Sequence, residues 1–485
     1  MLNRDLTNYN QLNRTPFHMP GHKRQNLTGV KLPYEKDYTE VEGLDDLHHA
    51  EGILRDAMNR TAALYGVDRT WYLVGGSTVG NLAGIYALAP YGSEVICTRV
   101  MHRSIVHGLM LAGYVVHYVM PEYVEELGCY GGVKAETVQR ALEQYPDSKA
   151  VILTSPTYEG ILSEVKEIVE VAHKAGVPVL VDEAHGSHLD VHFSDDSRSD
   201  FPEGAVAAGA DIVVQSAHKT LISMTQTAWM HLQGSLVEAS TVDEALDIFE
   251  TSSPSYVLMN SLDACTDYVY REGKAAYEKW LWNLENLQKC GQSLQNLKLK
   301  VYNDNQDGYC KDPSKILIYA GEGQVSGYAI AEKLREIYNI ETEMATDRYC
   351  LAMSGLGDDE SSFAILANAL RELDGSLKEC VATEAGMENV PTLLSDTKQI
   401  RYTLAEAAHR EKEEIEIAKA AGRICGEEIF CYPPGIPIVL PGEGITEEMK
   451  EHLSGLGKSG KLRHGKKHPK FSRDFTFHFA VGLPF

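Results

Sequence analysis

The chain has 485 residues, 44% hydrophobic and 24% charged, with a formal net charge of −24. That length exceeds what one compact core serves and points to about two or three domains of an ordinary globular protein. No apolar run approaches the ~18 residues of a membrane span, the polar N-terminus lacks the apolar centre of a secretory signal, and the acidic balance argues against nucleic acid.

Residues 1–55 are loop-rich, with the turn-like MPGHKR and the acidic, histidine-bearing EVEGLDDLHHAEG. From residue 56 a rhythm begins. RDAMNRTAALYG reads as helix, TWYLVGG as strand, and STVGNLAGIYALAP as a helix opened by Ser and Thr. KAVILTSPT, EVKEIVEVAHKAG, VPVLVDEAH and ADIVVQSAHK then read as strand, helix, strand and strand. Short apolar strands alternating with amphipathic helices predict an α/β fold on a largely parallel sheet. The long stretch from SSPSYVLMN to NLQKC predicts one long helix that closes a large domain, 56–290. SKILIYAG, SGYAIAEKLREIYNI and YCLAMSGLG predict a small α/β domain, 291–390. Residues 391–485 carry a charged helix in TLAEAAHREKEEIEIAKAAG, the proline-rich CYPPGIPIVLPGEGIT, and a basic segment, GKSGKLRHGKKHPK, expected to be a solvated tail.

Three of these strands end in reactive residue types. VILTSPTYEG ends in Ser155 and Thr157, VLVDEAHGSH in Asp182 and His185, and IVVQSAHKT in Ser216, His218 and Lys219. Ligands of open α/β sheets bind outside the carboxyl ends of the strands, so parallel neighbours would deliver all of these to one crevice. A lysine at the lip of a buried strand is costly as a free ammonium, which asks for a reason. Gly75-Gly76-Ser77-Thr78 lies between a strand and a helix, where unpaired N–H groups and the helix dipole favour a phosphate. A phosphate cradle, a carboxylate and an amine are the parts that pyridoxal 5'-phosphate requires.

The same residues carry a family resemblance. TPFHMPGHK (15–23), GLDDLHHAEG (43–52), GGSTVGN (75–81), VDEAHGSH (181–188), SAHKTL (216–221), TQTA (225–228) and YPPGIP near 432 make the chain resemble the short form of the bacterial ornithine/lysine/arginine decarboxylases. The resemblance implies the aspartate-aminotransferase fold (fold type I), with a mainly parallel seven-stranded sheet, a small α/β domain and a C-terminal decarboxylase domain over 391–485. It also implies a pyridoxal-phosphate enzyme removing the α-carboxylate of a basic L-amino acid. Arginine giving agmatine is the first reading, in polyamine metabolism, and lysine or ornithine the alternatives. An aminotransferase or lyase of the same fold comes next, then a catalytically silent cofactor-binding protein.

Carried over by position, Lys219 resembles the Schiff-base lysine and Asp182 the partner of the pyridine nitrogen. Ser77, Thr78, Ser216 and His218 resemble the phosphate ligands, His102 the histidine stacked on the ring, and His185 and Thr157 ring-edge neighbours. The family reads nearer Asn-Cys-His-Lys-Ser where this chain has Val-Met-His-Arg-Ser, which leaves Arg103 unassigned; Arg348 is likewise unplaced. Glu343, in IETEMATD, is a candidate for the cationic end of the substrate. The resemblance further implies a homodimer, with TSSPSY (251–256) reaching the neighbouring site.

No metal is expected. HGSHLDVH holds His185, His188, Asp190 and His192, but alternate residues of an extended chain face opposite ways. His48 and His49 belong to a polar loop. Nine cysteines without CxxC or paired spacing read as reduced thiols of a cytoplasmic protein.

Overall fold

Seven short strands assemble into one sheet in the order Arg69–Leu73, Ala228–Leu232, Ile212–Gln215, Val179–Asp182, Val151–Thr154, Glu94–Thr98, Val115–Val119. The computed structural model describes residues 1–12, 14–303, 308–321, 325–377, 400–431, 436–458, 462–464 and 476–480. From Ile212–Gln215 across to Val115–Val119 every neighbouring pair is parallel, and only Ala228–Leu232 runs against its neighbours. The central strands are buried along their length except at Thr154, as their unbroken apolar runs require when helices cover both faces. The expected mainly parallel α/β architecture is therefore what the chain adopts.

Glycines let the first covering helix settle directly on this sheet. In Gly76–Leu88, a Cβ at Gly80 would lie 2.6 Å from Val214 and 2.7 Å from Leu73, and one at Gly84 2.8 Å from Leu180. Any side chain there would lift the helix and carry its N-terminus away from the strand ends.

The predicted long helix spans 36 residues, Tyr256–Gly291, and Ser255 caps it by accepting from the Leu258 N–H. Its buried face (Met259, Leu262, Val269, Trp280, Leu284 and Leu287 among others) follows helical spacing. Beyond it, Leu297–Lys300, Lys315–Ala320, Tyr349–Met353 and Met344–Ala345 form an antiparallel sheet in that order. Helices Gly327–Tyr338 and Glu360–Ser376 belong to the same region.

The C-terminal region departs from two expectations. The charged helix stops early: Leu404–His409, closed by a Thr403–Glu406 capping box, gives way to a strand, Lys412–Glu416. That segment, KEEIE, offers only Ile415 as an apolar anchor, so it has no helical face to bury and pairs instead with Thr476–Ala480. Nor is the basic segment simply solvated, because Leu462–His464 pairs with Ile429–Cys431. Residues 459–461 and 465–470 of that segment and 432–435 of the proline-rich stretch lie outside the described residues. A separate core of Ile417, Cys425, Ile429, Val439, Ile445 and Leu453 holds this region together. Among the described residues no helix is long and apolar enough to cross a membrane, and the described cysteines form no disulfide.

Candidate functional site

The parallel register brings the three reactive strand ends into line. Asp182 lies opposite Thr154 on one side and Val214 on the other. Ile212–Gln215 then leaves the sheet through Ser216 into the helical turn Ala217–Thr220, which carries His218 and Lys219. Lys219 Nζ lies 3.0 Å from His185 Nε2. Burial lowers the Lys219 ammonium to a pKa of about 8; the Asp182 carboxylate opposes that fall and the Lys315 cation adds to it. Burial, then the charges of Lys219 and Lys315, hold His185 well below its ordinary range, so it is a neutral imidazole accepting at Nε2.

Asp182 is only 3% exposed, and its carboxylate is oriented at both oxygens. Asn81 Nδ2 donates to Oδ2 at 2.9 Å, and the Ala184 N–H donates to Oδ1 at 3.2 Å. The same Asn81 amide donates to Ser104 Oγ at 2.9 Å, and Ser104 Oγ is 2.8 Å from His102 Nδ1. Because the Ser104 backbone N–H also donates to Nδ1, the His102 proton sits on Nε2. His102 faces solvent yet is hemmed in by neighbours. Crowding lowers its pKa, against the pull of Asp182 and with the push of Lys219. Asn81, which the sequence reading left unassigned, is thus the link between Asp182 and His102. Three buried polar atoms around Asp182 (Asn81 Oδ1, Thr154 Oγ1 and His185 Nδ1) have no hydrogen-bond partner among the described residues. Such orphans mark a place where a polar ligand fits.

At the head of the site, Ser216 Oγ donates to Ser77 Oγ at 2.9 Å, joining the lysine-bearing turn to the first turn of Gly76–Leu88. Thr78 is exposed beside it. His218 donates from Nδ1 to the Thr227 carbonyl at 2.8 Å, which leaves Nε2 as its outward nitrogen. Thr157 sits on the same rim, but its hydroxyl oxygen accepts from the Ile161 N–H within its own turn. The TSSPSY segment lies against this chain's own polar loop: His48 Nε2 bonds the Thr251 carbonyl, and Tyr256 Oη bonds the Asp45 carbonyl.

Further groups reach the site from sequence positions that carried no signal. Tyr158 stacks edge-on against His185 at 4.7 Å, and its hydroxyl donates to Glu343. Asp312 and Lys315, in KDPSK, are fully buried beneath His185, with Lys315 Nζ donating to the His185 carbonyl at 3.3 Å. The histidines of HGSHLDVH diverge, His185 to Lys219 and His188 to Asp312. Among the described residues no group of His, Cys, Asp and Glu is arranged to hold a metal.

The two unassigned arginines point elsewhere. Arg348 donates to the Glu125 carbonyl. Arg103 pairs with Glu428 at 2.6 Å and lies over the Phe430 ring, while His107 approaches Glu428 at 2.8 Å. Arg99, buried, holds Glu443 and the carbonyls of Pro437 and Ile438. The C-terminal region therefore grips the chain on both sides of His102. Burial disfavours the Glu428 charge, but His107 and Arg103 outweigh it and lower its pKa. Glu428→Gln is expected to cost about 1–3 kcal/mol of stability at neutral pH. A carboxyl held low in the folded state stabilises above its unfolded pKa, so thermal melts of the variant and the parent should converge as pH falls through the acid range.

The chain matches the family model for the Orn/Lys/Arg decarboxylase major domain over residues 2–306, and the model for the Orn/Lys/Arg decarboxylase C-terminal domain over residues 388–475. It is 36% identical over 467 residues to YaaO of Bacillus subtilis, covering 93% of each chain. To the arginine decarboxylase of the same organism it is 33% identical over 451 residues, covering 89% of this chain and 88% of that one. The crystal structure of the lysine decarboxylase LdcF of Francisella novicida matches with a TM-score of 0.81 at 19% identity, covering 99% of this chain and 81% of that one. That likeness is one of fold, and the fold is type I, aspartate-aminotransferase-like. By these matches the chain belongs to the Orn/Lys/Arg decarboxylase family, and so to the carboxy-lyases.

Proposed function

We propose that this chain is a pyridoxal 5'-phosphate-dependent α-decarboxylase that converts arginine to agmatine, with lysine and ornithine as the alternative substrates. The observation carrying this reading is the pairing of a half-buried amine, Lys219, with an oriented carboxylate, Asp182, on adjacent parallel strand ends beneath a helix N-terminus. The residues fit the cofactor: Lys219 would bond its aldehyde, Asp182 its ring nitrogen, and Ser77, Thr78, Ser216 and His218 its phosphate. His102 would lie on the ring, with His185 and Thr157 at its edges. When bound, the group supplies an electron sink for the pair left at Cα as CO2 departs. Asn81 and the Ala184 N–H keep the Asp182 carboxylate aimed. Lys219, its pKa lowered to about 8, releases and recovers a proton at modest cost, and neutral His185 steadies it through Nε2.

Arginine is favoured by the named relative and by Glu343, an exposed carboxylate held by Tyr158 whose charge is felt at Lys219. A carboxylate suits a planar guanidinium. Glu343→Gln is expected to raise KM for arginine by about 10- to 100-fold with a much smaller change in kcat, as steady-state kinetics would read. The decisive assay is CO2 release from arginine, lysine and ornithine by the loaded protein. Inactivity on all three would favour an aminotransferase, a lyase or a silent cofactor-binding protein.

On the same reading the protein is a cytoplasmic homodimer. Its N-terminal segment presents apolar side chains, with Phe17 96% exposed and Leu27 and Met19 also outward, which a second copy would cover. The division into 1–55, 56–290, 291–390 and 391–485 belongs to this proposal too; light scattering and limited proteolysis test these two points.

A further inference from the structure

Behind the proposed cofactor lysine lies a set of charges that the reaction as described does not use. Asp312, Lys315 and His188 are all fully buried. Asp312 Oδ1 accepts from His188 Nε2 at 3.0 Å, its Oδ2 lies 3.4 Å from Lys315 Nζ, and it also holds the hydroxyl and N–H of Ser314. His188 Nδ1 is 3.1 Å from Thr220 Oγ1, the residue next to Lys219, and Thr220 Oγ1 is 2.9 Å from Ser187 Oγ. Lys315 Nζ reaches the carbonyl of His185, whose ring contacts the Lys219 amine. The Leu356 N–H completes the grip by donating to the Thr220 carbonyl at 2.8 Å.

A buried ion pair is a poor stabiliser compared with apolar packing of the same volume, so its presence directly under a reactive amine needs a separate reason. We propose that Asp312, Lys315 and His188 are positioning residues, a charged bracket that fixes the Lys219 turn and governs when its amine gives up a proton. Lys315 repels a proton on Lys219, and Asp312 holds the Lys315 charge while anchoring the turn through His188 and Thr220. The amine also faces Asp182 from the neighbouring strand, Glu343 from the small sheet's edge, and His185, while His102 and His218 feel its charge. The bracket is the part of this field that comes from beneath.

This inference rests on Lys219 being the cofactor lysine, and the experiment keeps the two separable. In the full-length chain without cofactor, the rate at which an amine-acylating reagent labels Lys219 is followed against pH by peptide mass spectrometry. Lys315→Met should raise the Lys219 pKa by on the order of one pH unit, and Asp312→Asn, which removes the carboxylate that holds the buried Lys315 charge, should move it in the same direction. Lys315→Arg, which keeps the charge, should titrate as the parent does. Misfolding would not spare Lys315→Arg, so an unmoved Lys315→Met, a Lys315→Arg that shifts as Lys315→Met does, or an Asp312→Asn shift of the opposite sign would overturn the bracket. If Asp312→Asn does not fold, Lys315→Met and Lys315→Arg decide the matter. Borohydride reduction of the loaded protein separately reports whether the cofactor is attached at 219; its failure there sinks the functional reading and leaves the acylation titration standing.

Discussion

Lys219→Ala is expected to lower CO2 release from arginine by at least ~10⁴-fold, equivalent to about 5 kcal/mol of lost barrier lowering. The variant should still fold, because the side chain is half-buried and, among the described residues, its hydrogen bond is to His185. In the parent, reduction with borohydride should leave a cofactor adduct on the peptide spanning Ala217–Thr220; in the variant that adduct should vanish. A variant that released CO2 at even a tenth of the parental rate would remove Lys219 from the mechanism. The magnitude reflects two duties of one amine, attachment of the cofactor and proton transfer, and His185 is no substitute because an imidazole has no primary amine to bond an aldehyde.

Asp182→Asn should give the second-largest loss, a drop of more than a hundredfold in kcat, or about 3 kcal/mol. Cofactor binding should persist. The amide is nearly the same shape as the carboxylate, and Asn81, whose Oδ1 has no partner among the described residues, can turn to accept from it. What disappears is the negative charge that keeps a ring nitrogen protonated. Absorbance of the loaded variant should therefore show bound cofactor with normal stoichiometry alongside the collapsed turnover. Normal kcat with normal loading would disprove the electronic role assigned to this carboxylate.

Much of the large unit was legible because its information is local. Unbroken apolar strands such as DIVVQ and VPVLV, each followed by chemistry-bearing residues, announce a parallel sheet with its crevice at their ends. Lys219, Asp182, Ser77 and Ser216 were readable for that reason. Asn81 was not, because an asparagine one turn into a helix looks like a surface residue until the glycine face of Gly76–Leu88 presses it against Asp182. Asp312 lies 124 residues from the histidine it pairs with, and no periodicity in KDPSK hints at that closure. The expected helix through Glu411–Glu416 failed for a different reason: charged residues of good helical propensity outvoted the lack of any face to bury.

The paired grip on either side of His102 has a temporal consequence. Arg99 and Glu443 are 344 residues apart, so a ribosome must deliver all of that intervening chain before the loop bearing His102 is locked. A nascent chain that has only just threaded out its lysine-bearing turn is thus an unfinished catalyst, and prematurely terminated products would leave Arg99 without its carboxylate and uncover the face that residues 437–443 close. Quality control by the cell's proteases would find such fragments easy to recognise.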